Sequence, residues 1–117
     1  MNPKIKRKWL KGLRSGQYSQ TKDVLCKETK TGKCSFCCLG VLCNIHAEQT
    51  GGHWTERDRK KGDIWPGILV YGKRDTMPPK IVTEWAGLTN DEATVLANMN
   101  DAGSRFNQIA NYIEKNL

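Results

Sequence analysis

Apolar residues recur at helical spacing near both ends of the chain and run together in its middle. Near the start, Ile5, Trp9, Leu10 and Leu13 return on one face of a 3.6-residue repeat, behind Asn2 as a cap and Pro3 at the first helical position. Gly16 ends that run. Near the other end Phe106, Ile109, Ala110, Ile113 and Leu117 share one helical face behind Ser104, which predicts a C-terminal helix capped by that serine. Between them, residues 37–49 are apolar nearly all round, through Leu39, Val41, Leu42, Cys43 and Ile45, until Gly51-Gly52. A helix without a polar face belongs inside, so this one is expected at the centre of the core.

The remaining segments read as strands and short helices. Residues 23–28 and 33–36 flank Thr29-Lys30-Thr31-Gly32, the pattern of a β-hairpin with a longer loop. Residues 53–77 are irregular, rich in Gly, Arg, Lys and Trp, with one strand, Ile68-Leu69-Val70-Tyr71, after Pro66-Gly67. Pro78-Pro79 opens a short helix that stops at Gly87, and Thr89-Asn90-Asp91-Glu92 is a capping box for another. The fold class is therefore α+β: a single compact domain, residues 1–117, with a buried central helix and flanking helices packed on a small antiparallel sheet or hairpin.

Composition adds limits. With 38% hydrophobic and 26% charged residues the chain has a globular balance, which argues against disorder. No apolar run approaches the roughly 18 residues that span a bilayer, and the opening residues lack the apolar stretch of a signal peptide. A cytoplasmic protein without a membrane partner is expected. The net charge of +7 is uneven: residues 1–33 hold ten Lys/Arg against two acids, whereas residues 75–117 hold three against six. An anionic partner would meet the amino-terminal part.

Five cysteines, an odd number, suggest thiols or metal ligands in a reducing compartment and not a disulfide framework. Cys34, Cys37, Cys43 and His46 have a spacing that could supply a zinc tetrahedron, although Cys43 and His46 would sit on the core helix and Cys34 on a strand. Plain buried thiols are the blander reading and outweigh zinc, so no cofactor is expected. Cys37 or Cys38, at a helix amino terminus, could also be a nucleophile with His53 as base, yet no oxyanion or acid partner stands out. A binding protein is thus favoured over an enzyme. Residues 88–110 have the cadence of the first two helices of a helix-turn-helix unit, but no basic recognition helix follows and the region is net negative, so two core-packing helices account for it better.

The best functional signal is the mixture of cations with flat rings. Trp9, Arg14 and Tyr18 in the first helix and turn, with Trp54, Arg57, Arg59, Lys60, Trp65, Tyr71, Lys73 and Arg74 in the middle, combine groups that pair with phosphate and groups that stack on bases. Four tryptophans are hard to bury entirely in a chain this short, so a pocket between the first helix and the middle segment is expected to hold an anionic nucleotide-type ligand. Nucleic acid or a host protein on the basic amino-terminal face is the alternative, and a cysteine-dependent hydrolase or transferase a third. Exposed tryptophans would equally suit a homo-oligomer interface.

Three phrases carry a family likeness: Trp9 through Leu13-Arg14-Ser15-Gly16-x-Tyr18-x-Gln20, then Cys37-Cys38-Leu39-Gly40-Val41-Leu42-Cys43, then Asn100-Asp101-x-Gly103-x-x-Phe106-x-x-Ile109-Ala110-x-x-Ile113-Glu114. In these the chain resembles a family of small accessory proteins of tailed phages. The resemblance implies an accessory role in an infected host cell, such as countering a host defence, and carries no catalytic residue over. It also weakens the zinc reading, because Cys34 and His46 fall outside the phrase that contains Cys37 and Cys43.

Overall fold

The computed structural model describes residues 1–57 and 67–117. Helix α1 (Pro3–Arg14) forms where its capping signals place it: Asn2 Oδ1 accepts from the N–H groups of Lys4 and Ile5 at 3.0 and 3.2 Å, satisfying donors that a helix start leaves free. Its Ile5, Trp9 and Leu13 are buried. Strand β1 (Ser19–Gln20) follows, then β2 (Cys26–Glu28) and β3 (Cys34–Phe36), an antiparallel pair with Cys26 opposite Phe36.

Helix α2 (Cys38–Thr50) starts at Cys37, whose Sγ accepts from the Gly40 N–H at 3.3 Å, and ends at Gly51, which takes the left-handed conformation (φ 75°) that glycine adopts without steric cost. Every residue from Cys38 to Cys43 is buried. It is the central helix that the unbroken apolar run predicts, and each fully buried Leu or Val in it contributes about 1.5–3 kcal/mol relative to exposure.

Strands β4 (Trp54–Glu56) and β5 (Ile68–Tyr71) complete the sheet, and helices α3 (Lys80–Ala86), α4 (Asn90–Asp101) and α5 (Phe106–Asn116) close the domain. The α+β class holds, but the sheet is larger than a hairpin: five strands in the order β1-β3-β2-β5-β4, antiparallel throughout except for β1 beside β3. The hydrophobic pattern does not reveal β1 or β4, since Ser19-Gln20 and Thr55-Glu56 lack apolar alternation. The capping box of α4 forms as expected, with Glu92 N–H on Thr89 Oγ1 (3.1 Å) and Thr89 N–H on Glu92 Oε1 (2.9 Å). The cap of α5 is Arg105 in place of the expected Ser104; Gln108 Oε1 reaches back to accept from its N–H at 2.8 Å.

α1, α3 and α4 pack against α2, and α5 packs against α1 and α4. Where these elements converge, Asn100 is fully buried. Its Oδ1 accepts from Cys38 N–H (3.0 Å) and Gln20 Nε2 (2.9 Å), and its Nδ2 donates to the Thr21 carbonyl (2.8 Å). One amide thereby ties α4 to the first turn of α2 and to β1.

Candidate functional site

The structure separates the aromatic and cationic residues that the sequence groups together. Trp9 and Tyr71 are corrections: both are core residues, 0% and 4% exposed, and present no face to a ligand. Trp9 is buried without penalty because its indole Nε1 donates to the Cys38 carbonyl at 2.9 Å. Tyr71 is held by its hydroxyl, 2.6 Å from Nδ1 of the buried His46, and burial raises the phenol's pKa and lowers the imidazole's.

Arg14 turns toward α5, where it pairs with Glu114 (2.6 Å) and donates to Asn111 Oδ1 (2.9 Å). Arg57 lies 3.5 Å from Asp75. Lys73 and Arg74 occupy the exposed turn after β5, with Lys73 in the left-handed region (φ 67°). Arg74 lines a separate depression between α3 and α4 together with Lys80, Glu84 and Asp91. Arg59, Lys60 and Trp65 lie outside the described residues. The single aromatic and cationic pocket is therefore not assembled from the described members of that set.

One member, Tyr18, does line a groove. It opens between α1 and α2, has a volume of about 410 Å³, and is bounded by Lys8, Lys11, Gln17, Tyr18, Glu48 and Gln49 over a floor of Gly12 and Ile45. That volume falls within the roughly 300–1,000 Å³ of ordinary ligand sites. Gly12 brings α1 close here: a Cβ in its place would stand 3.4 Å from Val41 and 3.5 Å from the Tyr18 ring.

Tyr18 is fixed on two sides. Its ring meets Phe36 edge-on with centroids 5.3 Å apart, and its hydroxyl accepts from Asn44 Nδ2 at 3.1 Å. Asn44 in turn accepts from Trp54 Nε1 (3.2 Å) and donates to Glu48 (3.2 Å), so Trp54 braces the ring from behind through a side chain on α2. Lys8 and Lys11, on the α1 rim, form no ion pair among the described residues. Neither lysine is in the cation-and-ring set that the sequence singles out; helical spacing puts them on the side of α1 away from α5, whereas Lys6 and Arg14 face α5.

The cysteines are structural in their contacts. Cys37 caps α2, Cys38 Sγ donates to the Leu96 carbonyl at 3.6 Å, Cys43 is buried, and Cys34 lies 3.7 Å from Glu28 Oε2. Burial pushes the Cys37 thiol up to about 11, in spite of its place at a helix start, and pushes Cys38 up as well. A nucleophile needs the opposite shift. The proposed metal ligands Cys34, Cys37, Cys43 and His46 are not gathered, and among the described residues no group of three or more His, Cys, Asp or Glu is placed to hold an ion. The reason is length: from Cys37 to His46 the helix rises about 13 Å, whereas zinc bonds measure about 2.0–2.3 Å.

Fold and groove together define a small α+β domain with an open, lysine-rimmed cleft. The chain belongs to the family described as Domain of unknown function (DUF8296), whose model matches residues 1–117. No curated protein and no solved structure matches it. Among the described residues no helix is long and apolar enough to cross a membrane.

Proposed function

We propose that the protein is a non-enzymatic binding module that holds an anionic ligand of nucleotide type in the groove between α1 and α2. The observation that carries this reading is the juxtaposition of Lys8 and Lys11, both without ion pairs among the described residues, with a Tyr18 ring already locked by Phe36 and Asn44. A preorganised ring loses little entropy on stacking, and two ammonium groups beside it match a phosphate. The family likeness to tailed-phage accessory proteins supports a role in the cytoplasm of an infected cell, where sequestering a nucleotide-derived signal would blunt a host defence.

A thermal-shift screen of mono-, di- and cyclic nucleotides tests it. A ligand at 100 times its dissociation constant adds about 2.7 kcal/mol of stability, and that gain should vanish in Lys8→Ala/Lys11→Ala while the unliganded melting temperature stays put. A screen in which no nucleotide raises the midpoint, or in which the double variant responds as the parent does, overturns the reading.

A further inference from the structure

The groove does not end at Tyr18. The same residue bounds a second depression of about 290 Å³, walled by Leu13, Arg14, Gly16, Arg105 and Phe106. Gln20 and Arg105 bound this one and also a third, of about 240 Å³, which adds Lys22 and Gly103. The three follow one another around the α1–β1 turn, each sharing a wall with the next. Their cations are Lys8, Lys11, Arg14, Arg105 and Lys22, against one lining carboxylate, Glu48.

The charges divide into two ends and a middle. Arg14, in the middle, is already neutralised by Glu114. Lys8 and Lys11 at one end, and Lys22 and Arg105 at the other, have no ion pair among the described residues. Lys22 leans over Gly103, where a Cβ would stand 3.7 Å from its Nζ. A ligand that satisfies both ends must carry negative charge at both and be narrow and flexible enough to follow a turn.

The polar floor between them is occupied. Gln20 Nε2 donates to Asn100 Oδ1 (2.9 Å) and the Ser104 carbonyl (2.8 Å), and its Oε1 accepts from Phe106 N–H (3.2 Å). The amide is spent on the fold, so it has little left with which to read a base edge. Cations outside and a ring at the junction leave backbone charge and stacking as the means of recognition.

We propose that the three depressions form one track for single-stranded nucleic acid, with phosphates on Lys8 and Lys11 at one end, on Lys22 and Arg105 at the other, and a base on Tyr18 between them. The proposal rests on the anionic reading of the groove and extends its ligand from one nucleotide to a strand. Binding is tolerant of sequence and falls with salt, by about 0.7 in log K per decade of salt for each phosphate neutralised, or roughly 2.8 for four contacts.

The test is fluorescence anisotropy with labelled thymidine oligomers of graded length, a labelled mononucleotide, and a duplex of matched charge, over a range of salt. Affinity should rise with length until the track is filled, and the duplex should bind more weakly. Lys22→Ala/Arg105→Ala, both exposed positions, should roughly halve the salt slope for long oligomers and leave the mononucleotide unaffected. Long oligomers that bind no tighter than the mononucleotide, a duplex that binds as well as the single strand, or an unchanged slope in the double variant would overturn the track and leave the groove reading standing. Absence of binding by mononucleotide and oligomers alike would overturn both.

Discussion

The start of α2 and the turn between α1 and β1 are neighbours built on opposite terms. The first gathers Cys37, Cys38 and Gly40 into a fully packed corner in which each group with chemistry to offer has a partner: Cys37 Sγ holds the Gly40 N–H, Cys38 Sγ the Leu96 carbonyl, Cys38 N–H the Asn100 amide and Cys38 O the Trp9 indole. The second has the Gln20 amide fully bonded and leaves Lys8, Lys11, Lys22 and Arg105 without an ion pair among the described residues. Reactive-looking residues can thus serve as fasteners, while the proposed ligand contacts fall to common lysines. The three sequence phrases reflect this, because Trp9 and Gln20 of the first, Cys38 of the second and Asn100 of the third bond to one another in space.

The sharpest way to break the contrast is to damage the packed corner and ask whether the turn survives. Gly40 lies against the backbone of β2's approach, where a Cβ would drive into the Leu25 carbonyl oxygen. Backbone cannot rotate out of the way as a side chain can, so Gly40→Ala forces α2 from the sheet. A loss of more than about 3 kcal/mol is expected, at the upper end of overpacking effects. Urea denaturation measures it, and a loss under about 1 kcal/mol would show that the corner is less tightly closed than its contacts imply.

Asn100→Ala comes next. It strips partners from Cys38 N–H, the Thr21 carbonyl and Gln20 Nε2 at once, of which Gln20 keeps a bond to Ser104. Each buried group left unpaired costs about 1–3 kcal/mol, so about 2–4 kcal/mol should be lost. Because Gln20 also floors the proposed track, this variant should weaken oligomer binding at temperatures where it remains folded; binding identical to the parent's would separate the two regions after all.

The division was only half legible in the sequence. Caps and periodicity are local, so α1, α2 and α4 were readable from Asn2-Pro3, from the unbroken apolar run and from Thr89 with Glu92. β1 was not, because Ser19-Gln20 becomes a strand only by pairing in parallel with β3, and two polar residues give no local sign of it. The same limit hid the candidate site. Nothing near Arg14 announces that Glu114 will claim it, and nothing near Lys22 announces that Arg105 will stand beside it. Aromatic residues misled for a complementary reason: a large ring with one polar atom looks too costly to bury until its partner is known, and the partner of Trp9 is a carbonyl on another helix. His46 posed the same problem, reading as a metal ligand until Tyr71 appeared opposite it.

His46 gives the gentlest probe. It is 6% exposed, lies at the far end of α2 from the packed corner, and sits between Tyr71 and Trp85, its ring edge-on to both with centroids 5.6 and 4.9 Å away. Burial lowers its pKa from the ordinary 6.5, so the folded chain takes up this proton at lower pH than the unfolded chain does. Below about 6.5 the unfolded state therefore binds more protons, and stability falls as pH drops from there toward the folded value, then levels off. Above neutrality the contribution is complete. Each unit of separation between the two states corresponds to about 1.4 kcal/mol. Urea midpoints of the parent and His46→Gln, compared from pH 7.5 to 5, should converge as the pH falls, since only the parent carries this term on top of the carboxylate background common to both. Parallel curves would mean that the imidazole keeps its proton equilibrium through folding, and that the Tyr71 end of α2 is as open to water as the lysine-lined turn.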